Sequence, residues 1–279
     1  MGSRGCGDNG AMDEGERGRG AAGEHPLTGG NATAGVVRVG DTVRRPAGFW
    51  TPAVHALLGH LHAVGFHAAP RPLGFDAQGR EVLSFAPGTV VWPDRFHLVR
   101  PRHRVVRLGR LVRDLHDALA EFRPPPGACW QELMPADGAE IVVRNDLAPW
   151  NLVASEDGAW ALIDWDTAAW GTRLWDLAYA AHGFVPLSAD AHWQEPEAEA
   201  GARLRVLADA YGLDEEGRRR LVPLLSLRCR AMGDFLARRA QAGVEPWLGL
   251  WRSGHGAIWR ADADYAEQRE PQWLAALLD

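Results

Sequence analysis

The chain contains no lysine: all thirty of its basic residues are arginine. Chemistry that needs a lysine side chain is excluded, and cationic side-chain contacts to anions fall mainly to guanidinium groups. Cysteine is scarce as well. Cys6, Cys129 and Cys229 are odd in number and far apart, which rules out a disulfide framework or a Cys-x-x-Cys metal site and fits a reducing, cytoplasmic setting. No apolar run approaches the ~20 residues that span a bilayer, and the amino-terminal segment lacks an apolar signal core, so no membrane partner is expected. The net charge of −6 gives no pull toward nucleic acid. The eleven histidines form no zinc signature. His55, His60 and His62 share one predicted helix but miss the i, i+4 pairing of a helical site.

What is present separates into an α+β pattern. Residues 1–26 are rich in glycine and mixed charge and read as a disordered tail. From Leu27 the pattern is β-like, with short runs at 35–39 and 42–45 around Gly40-Asp41 forming a hairpin. Thr51-Pro52 opens a helix whose stripe is Leu57, Leu58, Leu61 and Val64. Two further strands are expected near 71–75 and 81–85. Residues 27–88 therefore read as a small antiparallel sheet with one helix. Residues 89–279 read as a larger, mostly helical lobe, with a long amphipathic helix through Val105–Leu119. Later helices are expected at 198–211, 218–242, 248–268 and 270–278.

The chemistry concentrates in 141–179. Asn151–Ala154 and Ala159–Ile163 are strand-like runs around Asp157-Gly158, a strong hairpin signal. Centring the turn there makes opposed positions sum to about 315 by strand pairing, which sets Asn151 opposite Asp164. A carboxamide and a carboxylate at the open end of a hairpin form a hard-oxygen site suited to Mg²⁺. Asp146 lies five residues upstream in a loop stiffened by Pro149, free to act as a proton acceptor. A free carboxylate beside a two-ligand magnesium site is the minimum for in-line phosphoryl transfer to a hydroxyl.

Asp146-x-x-x-x-Asn151, the hairpin, Ile163-Asp164-Trp165 and Trp175-Asp176-Leu177-Ala178 together resemble the aminoglycoside phosphotransferase and choline-kinase-like family. The run Asn145–Asn151 looks most like an actinobacterial branch, some of whose members are labelled trifolitoxin-immunity-like. The resemblance covers roughly residues 27–180. It implies a two-lobed protein-kinase-like fold, ATP and Mg²⁺ as cofactors, Asp146 as catalytic base, and Asn151 and Asp164 as metal ligands. It further implies a hinge at Leu83–Ala86, where Ser84, Phe85 and Ala86 meet the adenine, and Asp176 as a brace of the catalytic loop. Gly29, Gly30, Asn31 and Thr33 are then expected to arch over the phosphates. The expected acceptor is a small polar molecule such as an aminoglycoside-like antibiotic, or a Ser/Thr of a biosynthetic peptide.

Three departures accompany the resemblance. The family's phosphate-holding strand lysine is replaced, with Arg44 as the nearest substitute and Arg38 and Arg45 as alternatives. Helix 51–64 carries no acid, so the usual Lys–Glu pair is expected to be missing at both ends. Arg144 stands where the family usually has a histidine that braces the metal loop. These changes leave a nucleotide-binding or immunity protein without turnover as the alternative. Most of the thirteen tryptophans read as packing, with Trp247, Trp251 and Trp259 better placed for an acceptor pocket. Glu195, Glu197 and Glu199 read as a solvated charged face, as do Asp262, Asp264 and Glu267.

Overall fold

The computed structural model describes residues 23–27 and 35–279. Strand β1 (His25–Pro26) pairs antiparallel with β2 (Val37–Val39), which turns at Gly40-Asp41 into β3 (Thr42–Arg45). The predicted phosphate loop, Gly29, Gly30, Asn31 and Thr33, lies outside the described residues. Helix α1 (Thr51–Ala63) follows, then β4 (Pro72–Phe75) and β5 (Glu81–Ser84), completing a five-stranded sheet in the order β1-β2-β3-β5-β4. Sequence reading places residues 25–26 in the tail. They form a strand instead, and Glu24 beside them bonds Arg80 at 2.6 Å.

The register of this sheet decides which arginine faces the chemistry. Val43 pairs with Arg38 and Leu83, and Arg45 pairs with Glu81. Partners across a ladder share a face and neighbours along a strand do not, so Arg38, Val43, Arg45, Glu81 and Leu83 look inward. Arg44 pairs with Val37 and Val82 and looks outward.

After β5 the chain crosses to the second half through Pro87-Gly88. Gly88 has φ +133°, and a Cβ there would stand 2.4 Å from the Ala154 carbonyl oxygen, so only glycine lets the crossing lie this close. Strand β6 (Thr89–Val90) leads to α2 (Arg102–Ala120) and β7 (Ile141–Val143). The hairpin β8 (Leu152–Ala154) and β9 (Trp160–Leu162) joins β6 in a three-stranded sheet, while β10 (Ala169–Gly171) pairs with β7. Helices α3 (Arg173–Phe184), α4 (Glu197–Tyr211), α5 (Glu215–Gln241), α6 (Trp247–Arg252), α7 (His255–Gln268) and α8 (Glu270–Leu278) complete the chain. Val105, Leu108, Val112, Leu115 and Leu119 of α2 are all at most 1% exposed, as their helical spacing predicts.

One expected helix changes. The single helix at 248–268 is split by Gly254, whose φ of +92° is incompatible with a continuous right-handed helix. Helix α3 has no amphipathic stripe to read, because Leu174–Ala181 is buried throughout. A helix covered on every side carries no polar face. None of the described helices is long and apolar enough to cross a membrane.

Candidate active site

The loop that carries Asp146 runs from β7 to β8, and its backbone is unusual at one point. Asn145 has φ +64°, a left-handed conformation that non-glycine residues hold only when their surroundings impose it. Three polar groups of that residue are engaged. Its N–H donates to Asp176 Oδ1 at 2.8 Å, its carbonyl accepts from Arg228 at 2.7 Å, and its Nδ2 donates to the Thr167 carbonyl at 3.2 Å. Asp146 follows, half-buried, with Oδ2 accepting from Asn151 Nδ2 at 2.7 Å. Burial raises its pKa above the usual carboxylate value and nearby Asp164 adds to this, against the pull of Arg144, Arg228 and the Asn151 bond. The Tyr179 hydroxyl also lies beside this carboxylate and is pushed well above its ordinary pKa, first by burial and then by the Asp146 charge.

The hairpin differs from expectation by one residue. Leu152 pairs with Leu162, Val153 with Ala161 and Ala154 with Trp160, because the turn has three residues closed by Gly158 at φ +85° rather than two. Asn151 therefore opposes Ile163, whose N–H donates to the Asn151 carbonyl at 2.9 Å. Asp164 comes next at φ +61°, and this left-handed step turns the chain out of the strand. The carboxylate thus leaves the alternation of β9 and reaches Arg45, 3.3 Å from its Nη1.

Arg144 is fully buried and donates to the carbonyls of Asp146, Ile163 and Asp164, the last at 3.0 Å. One planar fork thereby joins the Asp146 loop to the loop after β9. The bracing expected of this position is what the geometry shows. Its cost is desolvation, since burial lowers the pKa of this guanidinium despite Asp146, Asp164 and Asp176 nearby. Arg228 from α5, only 1% exposed, stacks over Tyr179 with its Cζ 4.1 Å from the ring centroid. Sequence reading does not single it out, and nothing local could: it acts on a residue 83 positions away.

On the sheet side, the side chain reaching Asp164 belongs to Arg45, not Arg44. Arg44 lies 3.7 Å from Asp76 on the outward face, a consequence of strand alternation. Arg45 is 7% exposed and bonds Asp164 and Asp166, with Glu81 at 3.5 Å. Burial opposes its charge, but the three carboxylates outweigh burial and raise its pKa. The acid missing from α1 is therefore supplied by Glu81 on β5, and α1 contributes His55, whose Nε2 is 3.0 Å from Glu81. Asp166 rises to about 6, first through burial, with Arg45 opposing and Asp164 assisting.

At the hinge, Ser84 Oγ accepts from the Arg71 N–H at 2.8 Å, and the Phe85 N–H donates to the Asp41 carbonyl at 2.9 Å. Arg38 lies over the Phe85 ring, 3.9 Å from its centroid. Among the described residues Ala86 has no internal backbone partner.

The residues present fit a divalent cation. Asn151 Nδ2 is committed to Asp146, so its carboxamide oxygen is left for a cation. Asp164 is 38% exposed, and three carboxylates surround a single guanidinium. Among the described residues no group of three His, Cys, Asp or Glu is arranged to hold a metal alone, but magnesium commonly takes one or two protein oxygens with phosphates and water.

The remaining candidates are placed mostly by packing. Trp165 and Trp273 are fully buried, and Trp175 and Trp160 nearly so. Trp259 stacks on Tyr179, centroids 5.9 Å apart, and lies 4.7 Å from His182, whereas Trp247 packs on Phe235 and Trp251 lies under Arg260. The acidic groups are ion-paired rather than merely solvated. Glu195 bonds Arg100 at 2.8 Å, Glu199 bonds Arg102 at 3.1 Å, and Glu197 lies 3.4 Å from Arg269. Asp262 is buried against His182 at 2.8 Å, and Asp264 and Glu267 both meet Arg230.

Comparison with known proteins bears on the family and the fold. Residues 128–224 match the phosphotransferase enzyme family, APH. The trifolitoxin immunity protein of Rhizobium leguminosarum bv. trifolii is 32% identical over 254 residues, covering 84% of this chain and 93% of that protein. Among solved structures, a choline/ethanolamine kinase family protein from Mesorhizobium loti has a TM-score of 0.57 at 16% identity, covering 93% of this chain and 94% of its own. A microcompartment-associated aminopropanol kinase has a TM-score of 0.58 at 13% identity, with coverages of 88% and 90%. The GDP complex of aminoglycoside 2'-phosphotransferase-IIIa has a TM-score of 0.54 at 12% identity, with coverages of 91% and 94%. These likenesses establish the two-lobed kinase-like fold.

Proposed function

Because the chain belongs to the phosphotransferase enzyme family, we propose that it moves the γ-phosphoryl group of ATP onto a hydroxyl of a small polar molecule. The observation that carries this reading is the convergence of Asp146, Asn151 and Asp164 through one set of bonds, with Arg45 closing the site from the sheet. Asp146, held by Asn151, orients the acceptor hydroxyl and takes its proton. Its raised pKa makes it a stronger base than an exposed carboxylate. Asn151 and Asp164 would hold Mg²⁺, which when bound neutralises charge on the phosphates. Arg45 can exchange a carboxylate for a phosphate without losing an anionic partner, and Ala86 offers the free hinge backbone to the base. The test is Mg²⁺-dependent binding and hydrolysis of ATP by the full chain. Asp146→Asn should lower turnover by about 10²-fold or more while leaving binding intact, and Asp164→Asn should weaken both. Binding indifferent to Mg²⁺ and to Asp164 would sink the catalytic reading.

The likeness to an immunity protein favours a second reading, in which the same site binds nucleotide without turnover or phosphorylates Ser/Thr of a peptide. Tight ATP binding with no hydrolysis and no transfer to small alcohols would identify it.

A further inference from the structure

Three helices meet behind the catalytic loop on one buried polar chain. Its hub is Asp176 of α3, which accepts the Asn145 N–H on Oδ1 at 2.8 Å and the Arg144 N–H on Oδ2 at 3.3 Å. His116 of α2 reaches the same Oδ2 through Nε2 at 3.2 Å, and its Nδ1 stands 2.8 Å from the hydroxyl of Tyr211, the last residue of α4. Arg173 lies beside that hydroxyl in turn, at the wall of a surface cavity of about 310 Å³. His116 and Asp176 are wholly buried and Tyr211 is 3% exposed.

We propose that His116 and Tyr211 are positioning residues for the base, acting by fixing the Asp176 carboxylate that holds the two amides before Asp146. The inference rests on Asp146 being that base. Asn145 needs external constraint to keep φ +64°, and small misalignment of a reacting group is costly to rate. Asp176 can supply the constraint only while its own rotamer is fixed. A carboxylate accepts and never donates when ionised, so the Nε2 bond carries the His116 proton and leaves Nδ1 to the Tyr211 hydroxyl. That hydroxyl sets which way the imidazole faces, and the imidazole sets which way the carboxylate faces. Neither His116 nor Tyr211 touches Arg45, Asn151 or Asp164, so their loss should fall on the chemical step and not on nucleotide affinity.

Tyr211→Phe tests this with the removal of one hydroxyl and no change in ring packing. Two readouts are taken on the full chain: steady-state ATP turnover with Mg²⁺, and residue-resolved amide exchange of nitrogen-labelled protein. The expected result is a kcat lowered about tenfold, the loss of one buried hydrogen bond, with the nucleotide KM within twofold. Exchange should quicken at Arg144 and Asn145 and stay unchanged in the middle of α5. Leu207→Ala, on the same helix as Tyr211, serves as the packing control and should lower thermal stability while leaving kcat in place. Unchanged exchange at Arg144 and Asn145, or an equal rise throughout the chain, would overturn the proposal. Should the wild-type protein show no turnover, the catalytic reading fails by itself, and the exchange measurement still decides whether this chain of residues holds the loop.

Discussion

Buried arginines are handled in opposite ways in the two halves of the molecule. In the sheet half, Arg45 is ringed by carboxylates from Glu81, Asp164 and Asp166. In the helical half, Arg144 and Arg228 are spent on backbone carbonyls, aromatic faces and the Met134 sulfur, with no carboxylate within 4 Å among the described residues. The difference separates a charge that can be exchanged from charges that are fixed. A guanidinium among anions can trade one for a phosphate, because its partner remains an oxyanion. A guanidinium holding carbonyls has no such substitute. The lysine-free composition thus uses one residue type for two jobs, and its surroundings decide which.

The largest test of this contrast is on the fixed side. Arg144→Met would leave the carbonyls of Asp146, Ile163 and Asp164 without that donor. At about 1–3 kcal/mol for each buried group left unpaired, urea denaturation should show a loss of about 3 kcal/mol or more. A loss under about 1 kcal/mol would mean that the loop is held by other contacts and that the two halves do not differ as described.

Next in size is the pair Arg45→Gln and Arg44→Gln. The first should lower nucleotide affinity by about tenfold to a hundredfold, the range for removing a charge-assisted contact to a phosphate. The second should change affinity by less than about twofold, since Arg44 sits with Asp76 on the outer face. Equal effects from both, read by nucleotide titration, would show that charge near the cleft matters rather than the geometry of one fork.

This pair also shows where sequence reading runs out. The side chains proposed to carry the chemistry, Asp146, Asn151 and Asp164, stand within one short segment and are legible from spacing and residue type. The choice between Arg44 and Arg45 depends on which face of β3 is inward, and alternation gives that only once the partner strands are known. The one-residue slip in the hairpin has a similar origin: Asp-Gly marks a turn but does not say whether two or three residues close it. Glu81 and His55 are invisible as an ion-pair replacement because the acid moves from a helix to a strand. Helix α3 is unreadable by periodicity because its Asp176 is buried along with its apolar residues. What could be read was local, and what could not depended on a partner remote in sequence.

The helical half also holds a cation that pH can remove without mutation. His182 lies half-buried between Asp262 and Cys229. Desolvation pulls its pKa down, but the Cys229 sulfur and Asp262 outweigh it and hold the ring at about 10 against an ordinary 6.5. A folded-state pKa above the unfolded value means the native protein binds the proton more tightly. Its stabilisation is complete below pH 6.5 and is lost as pH rises toward 10. The slope in that window is at most about 1.4 kcal/mol per pH unit for one proton. His182→Gln should flatten it in urea titrations while leaving nucleotide affinity unmoved across the same range. If affinity instead fell with the titration, the helical half would hold an exchangeable charge of its own, and the division between the two halves would fail at His182.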